Sequence, residues 1–309
     1  MITLVHDPIF LRHETGSHPE CPDRIRGLPE HLTREDGPLE IRVTPPTAAT
    51  PEQLSTVHEM EYIEYVEAFT RAGGGHLDAD TFACAESYEA AVRAAGAVIT
   101  GVDLALDEDA TVFCAVRPPG HHALAARAMG FCLFNSVAVG ARHATGARGL
   151  DRVAILDFDV HHGNGTEVMF ESAPDVLFVS SHQWPFYPGT GAATDRGKGA
   201  GKGTVVNLPL PSGTTGDELL AALRESAVPA IADFKQDLLL VSAGFDVYEG
   251  DPLAQFRVAE EDFVRIGALM AEIARDHTNR RPVTTLEGGY AVDALPRLVE
   301  AYLTGLDSA

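Results

Sequence analysis

Residues 157–165 read Asp-Phe-Asp-Val-His-His-Gly-Asn-Gly and follow directly on the apolar run Val153-Ala154-Ile155-Leu156. Two carboxylates, two imidazoles and a carboxamide thus stand against what reads as a buried strand. Burying such groups is costly unless a partner, a metal or a reaction uses them. Asp159 and His161 are two positions apart, so on an extended backbone their side chains point the same way and can share one ion. Asp246, after another apolar run, offers a third ligand. Three protein ligands leave a position open for water, the pattern of a catalytic zinc site, although oxygen-rich ligation also suits Fe(II), Mn or Co. A metal held this way acidifies water and polarises a carbonyl.

Further groups complete such a reaction. The pair His121-His122 titrates near neutrality and suits proton movement from the water to a leaving amine. Asp157 and Asn164 are the available groups to orient the two rings. Tyr290 can donate a hydrogen bond to an oxygen that becomes negative in a tetrahedral intermediate. Together these read as a metal-assisted amide hydrolase. The competing reading is structural: a satisfied histidine pair, aspartates that cap or turn the chain, and a packed tyrosine. Coincidence favours the site, because four clusters (117–122, 157–165, 244–246 and 287–290) all follow expected strands and lie beside glycine.

The elements that must position these groups are legible as periodicity. Apolar, β-branched runs at 2–5, 111–116, 152–158, 175–181, 204–210, 237–243 and 282–287 read as strands buried on both faces. Helical spacing occupies 86–106, 133–147, 215–234, 260–276 and 291–305. Strands alternating with helices predict an α/β fold with a parallel sheet, whose ligands bind beyond the carboxyl ends of the strands. No linker or repeat divides residues 1–309, which read as one domain. The glycine-rich loop 189–203 contains a Gly-Lys pair but fails the phosphate-loop pattern, since Gly203 follows Lys202 and a strand comes next.

Composition excludes some classes. Of 309 residues 45% are hydrophobic and 22% charged, with no run apolar enough to span a bilayer and no apparent signal segment, so no membrane association and a cytoplasmic location are expected. A net charge of -22 repels nucleic acid and suits a cationic substrate, although acidic surfaces also serve solubility alone. Cys21, Cys84, Cys114 and Cys132 form no CxxC pair, which argues against a disulfide framework or a structural zinc module. The sequence does not specify an oligomeric state.

At the same residues the chain resembles the zinc-dependent histone deacetylase family, in its class II-like bacterial branch of histone deacetylase-like amidohydrolases. The resemblance rests on HPECPDR (18–24), LDADTFACAESYEAAVRAAG (77–96), RPPGHHA (117–123), GFCLFNSVAV (130–139), DFDVHHGNGT (157–166), FYPGTG (186–191), AGFDVYEGDPL (243–253) and LEGGY (286–290), in order along nearly the whole chain. It implies the arginase/deacetylase fold, a single parallel sheet of about eight strands flanked by helices, one more strand than the seven read above. It implies one zinc ion on Asp159, His161 and Asp246, with His122 as proton shuttle, His121 its electrostatic companion, and Tyr290 the carbonyl clamp. Asp157 and Asn164 would serve the two histidines. An inner monovalent cation site, usually potassium, would use Asp157, Asp159, His161, Ser180 and Ser181. Phe131 and Tyr187, beside Gly130, match the acyl-lysine channel, with Tyr187 standing where phenylalanine is common. Asn164 stands where class I enzymes carry aspartate, which should lower the pKa of His122 relative to an aspartate-paired histidine. The implied substrate is acyl-lysine or a small N-acyl amine such as an acetylated polyamine. Two alternatives are a dinuclear manganese amidinohydrolase of the arginase type and a non-catalytic acyl-lysine binding protein.

Overall fold

The computed structural model describes residues 1–278 and 281–308; positions 279, 280 and 309 of the expected single domain lie outside the described residues. Ten strands form in chain order: β1 (Ile2–Val5), β2 (Ile41–Thr44), β3 (Gly75–His76), β4 (Phe82–Ala83), β5 (Thr111–Cys114), β6 (Val153–Asp157), β7 (Val176–Gln183), β8 (Val205–Leu210), β9 (Leu238–Ala243) and β10 (Val283–Leu286). Eight of them make one sheet in the order β2-β1-β5-β10-β9-β6-β7-β8, and every pairing in it is parallel. β3 and β4 pair antiparallel as a small separate hairpin.

All seven strands expected from apolar runs are present. The eighth is β2, an edge strand of sequence Ile-Arg-Val-Thr whose residues are only partly buried. An edge strand needs no continuous apolar run, and a charge such as Arg42 blunts its open side. The central strands β5, β6, β9 and β10 are wholly buried, as parallel strands covered by helices must be.

Helices cover the sheet, the longest being Ser87–Asp107, Glu260–Thr278 and Leu295–Asp307. The last two approach closely because Gly267 and Gly305 face each other's partners: a Cβ at either would lie 2.0 Å from a backbone oxygen of the opposite helix. The expected helix over 133–147 begins at Ser136, after Asn135 caps it by accepting from the Ala138 N–H at 3.0 Å. Among the described residues no helix is long and apolar enough to cross a membrane.

Register brings the chemistry to one level. Val5 pairs with Cys114, Cys114 with Thr285, Thr285 with Ser242, Ser242 with Asp157 and Asp157 with Ser180. The central strands therefore end in one row, and the segments that follow them converge on one face of the sheet.

Candidate active site

Asp159 and His161 follow β6, and Asp246 follows β9. Their ligand atoms lie within 4.8 Å of one another, the one such group of histidine, cysteine and carboxylate side chains among the described residues. His161 Nδ1 stands 3.1 Å from Asp159 Oδ1 and 3.1 Å from Asp246 Oδ2. Ligand atoms sharing a tetrahedral ion at about 2.0 Å would sit about 3.3 Å apart, so the spacing fits a shared cation. Backbone donors fix both carboxylates: Gly288 N–H donates to Asp159 Oδ2 at 2.8 Å and Val160 N–H to Asp246 Oδ1 at 3.0 Å. Burial and the neighbouring Asp159 push the Asp246 carboxyl up to about 7. This mutual repulsion is what a bound cation relieves.

The histidine pair follows β5. His121 Nδ1 lies 2.9 Å from Asp157 Oδ2, and His122 Nδ1 lies 2.7 Å from Asn164 Oδ1. Asp157 is the last residue of β6, and Asn164 the first of the short helix Asn164–Phe170. Burial opposes a charge on His121, but Asp157 and Asp159 outweigh it and raise its pKa to about 10. His122 is held well below its ordinary value, first by burial and then by His121 and His161.

Of these groups, His122 and His161 line a cavity of about 220 Å³, together with Asp80, Gly130, Phe131, Phe186, Tyr187, Leu253 and Tyr290. Tyr187 presents its ring edge-on to His122 at 5.3 Å, and Phe131 lies edge-on to Tyr290 at 5.7 Å. Gly130 and Phe131 both adopt left-handed backbone, at φ 57 and 70. A Cβ at Gly130 would lie 2.3 Å from the His122 ring, so glycine there lets the backbone pass beneath the imidazole. The turn between β3 and β4 holds this segment: Asp80 Oδ1 accepts from Gly130 N–H at 3.3 Å and Thr81 Oγ1 from Phe131 N–H at 3.1 Å.

Tyr290 follows β10, and burial holds its hydroxyl well above the ordinary range, so it stays a donor. Ser180 and Ser181 are buried on β7 beside Asp157. The Ser180 hydroxyl meets His182 Nδ1 at 3.0 Å, while the Ser181 hydroxyl has no hydrogen-bond partner.

Sequence reasoning missed several groups that shape this site. Phe186 stacks on His161 at 5.4 Å. Asp251 ties two lining segments together, its Oδ2 accepting from Tyr290 N–H at 2.6 Å and its Oδ1 from Leu253 N–H at 2.9 Å. Arg24, wholly buried, donates to the carbonyls of Gly289 at 2.7 Å and Glu287 at 2.6 Å and lies over the Tyr290 ring at 4.8 Å. Glu20 pairs with both Arg24 (3.1 Å) and Arg117 (2.5 Å). Glu287 accepts from the N–H groups of Gly120 at 2.6 Å and His121 at 3.2 Å, which sets the height of the histidine pair. Phe186, Asp251, Glu287, Glu20 and Arg24 all lay inside motifs already quoted, but none was given a role there.

The chain is similar to known proteins over most of its length. The chain is 38% identical to a histone deacetylase-like amidohydrolase of Pseudomonas aeruginosa, over 91% of this chain and 74% of that protein. It is 38% identical to a probable deacetylase of Methanothermobacter thermautotrophicus, over 99% of this chain and 91% of that one. The crystal structure of the HDA15 HD domain superimposes with a TM-score of 0.92 at 33% identity, covering 100% of this chain and 91% of that one. The fold is thus the arginase/deacetylase fold expected from the sequence. Residues 18–306 match the histone deacetylase domain, and the chain belongs to the histone deacetylase family.

Proposed function

We propose that the chain is a single-domain, zinc-dependent deacetylase that hydrolyses the amide of acyl-lysine or of a small N-acyl amine. One observation carries this reading: Asp159, His161 and Asp246 converge within reach of one ion, and His161 lines an aromatic-walled cavity that His122 and Tyr290 also line. The two carboxylates and one imidazole suit a zinc ion with one position left open. Zinc bound there would polarise the acyl carbonyl and acidify water.

The remaining work falls to the chain's own groups. Phe131, Tyr187 and Phe186 enclose an unbranched alkyl stem and keep bulk water away. His122, neutral because of its burial and cationic neighbours, takes a proton from the attacking water at Nε2 and returns it to the leaving amine. His121, held cationic by Asp157, stays fixed beside it. The Tyr290 hydroxyl donates to the oxygen on which charge develops. The orphaned Ser181 hydroxyl, next in chain to Ser180 where β7 pairs with Asp157, supports an inner monovalent cation held with Asp157, Asp159 and His161, with potassium as the reading of choice.

A dinuclear arginase-type site would need ligands for a second ion. The candidates beside the first are already engaged: His121 with Asp157, and His162 with Thr190 at 2.8 Å and Glu167 at 3.0 Å. The decisive experiment follows acetate release from an acetyl-lysine peptide before chelation, after it, and with zinc restored. Loss and recovery of turnover is the expected result. Failure to hydrolyse acetyl-lysine peptides, acetylated polyamines and longer acyl amines at any metal loading would overturn the proposal.

A further inference from the structure

A second constellation of reactive side chains lies away from the cavity, where the segment 12–20 meets the start of the helix Ser87–Asp107. Cys84 is half-buried there, whereas Cys114 and Cys132 are fully enclosed. Its sulfur accepts from Ser87 Oγ at 3.3 Å and from the Glu14 N–H at 3.3 Å. The Ser87 hydroxyl is in turn 2.6 Å from His13 Nδ1, so the serine links the thiol to the imidazole. On its far side, His13 Nε2 lies 3.3 Å from Glu20 Oε2, and Glu20 is buried against Arg117. A thiol, a buried imidazole and a buried carboxylate in series are the parts of an activated nucleophile: attacker, proton carrier and orienting group.

We propose that Cys84 is a reactive thiol at which hydroperoxides oxidise this chain, with His13 as the proton donor. The thiolate attacks one oxygen of the peroxide; the S–O bond forms as the O–O bond breaks, and sulfur is oxidised by two electrons to a sulfenic acid. The departing hydroxide, or alkoxide from an organic hydroperoxide, takes the proton of the His13 imidazolium and leaves as water or alcohol. Nothing here depends on the deacetylase reaction.

The local charges agree with this geometry. Burial acts to raise the thiol, but the nearby His13 and the hydrogen bonds from Ser87 and the Glu14 N–H outweigh it and lower Cys84 to about 7. Burial likewise opposes a charge on His13, which Cys84 and Glu20 overcome, while Arg117 opposes it. Glu86, 3.7 Å from the sulfur, would disfavour the thiolate, but Arg12 neutralises it at 3.1 Å. A thiol of pKa about 7 is half ionised at neutral pH against about 3% for an ordinary thiol, and its lower nucleophilicity trims that advantage to about fourfold.

Cys21, also half-buried in the same chain, supplies the internal control. In the intact protein at pH 7, iodoacetamide labelling followed by peptide mapping should modify Cys84 about fourfold faster than Cys21. Hydrogen peroxide followed by dimedone should place the adduct on Cys84. His13→Gln should bring Cys84 labelling down towards that of Cys21; because His13 is buried, Ser87→Ala provides a second, milder break in the same relay. Equal labelling of the two cysteines in the native chain, or a Cys84 rate that neither variant lowers, would overturn the proposal.

Discussion

His121 and His122 are neighbours in sequence, with rings 4.0 Å apart and nearly equal burial at 3% and 4% exposure, yet they sit in opposite protonation regimes. Burial alone would discharge both. His121 faces the carboxylate of Asp157 and is raised to about 10; His122 faces the uncharged amide of Asn164 and is pushed well below its ordinary value. Two carboxylates, Asp157 and Asp159, hold the first ring as a fixed cation, while burial and then His121 and His161 leave the second, whose partner is a neutral amide, free to accept a proton.

The sharpest way to break this contrast is to remove each ring. His122→Ala is expected to lower kcat/KM by roughly 10²–10⁴-fold with zinc content unchanged, as for loss of a general base. His121→Ala should cost clearly less; equal losses measured by steady-state kinetics would show that the two rings share one role. Tyr290→Phe should lower kcat by about 10²-fold while KM changes little, since the hydroxyl is asked to act on charge that develops only during reaction. A rise in KM alone would assign Tyr290 to substrate binding instead.

Asn164→Asp sharpens the comparison more gently. A carboxylate beside His122 favours its imidazolium, so its pKa rises and the neutral form is lost at a higher pH. The acid limb of the kcat/KM profile should therefore move up by about one unit. An unmoved acid limb would mean that another group sets it. Smallest of all, Tyr187→Phe removes a hydroxyl but keeps the ring edge-on to His122. Activity should stay within about fivefold, with relatively better turnover of longer acyl chains, since one partly exposed hydroxyl is worth at most about 1 kcal/mol. Competition between acetyl and butyryl peptides reads this directly.

How much of this was legible before the structure depends on where each partner lies. The ladder from Val5 to Ser180 was readable because its strands are buried on both faces and so are continuously apolar; β2 was not, because an edge strand of Ile-Arg-Val-Thr needs to hide little. The residues at Asp157–Asn164 announced themselves because ionisable groups rarely follow a buried strand without cause. Arg24 and Glu20 gave no such warning. Each is one charge in a short segment near the N-terminus, and its meaning comes from distant partners: Arg117 for Glu20, and for Arg24 the carbonyl of Gly289, 265 positions along the chain. No local pattern encodes such a partnership.

That separation governs how the molecule can come into being. Arg24 lies in the first tenth of the chain, yet the carbonyls that receive it belong to Glu287 and Gly289, and the ring it covers belongs to Tyr290. During synthesis from the N-terminus, Arg24 emerges long before those acceptors. Its charge must wait in water until the last strand arrives, and only then can it be enclosed. A chain stopped short of residue 287 would therefore hold every candidate metal ligand and still lack the means to close the pocket around them.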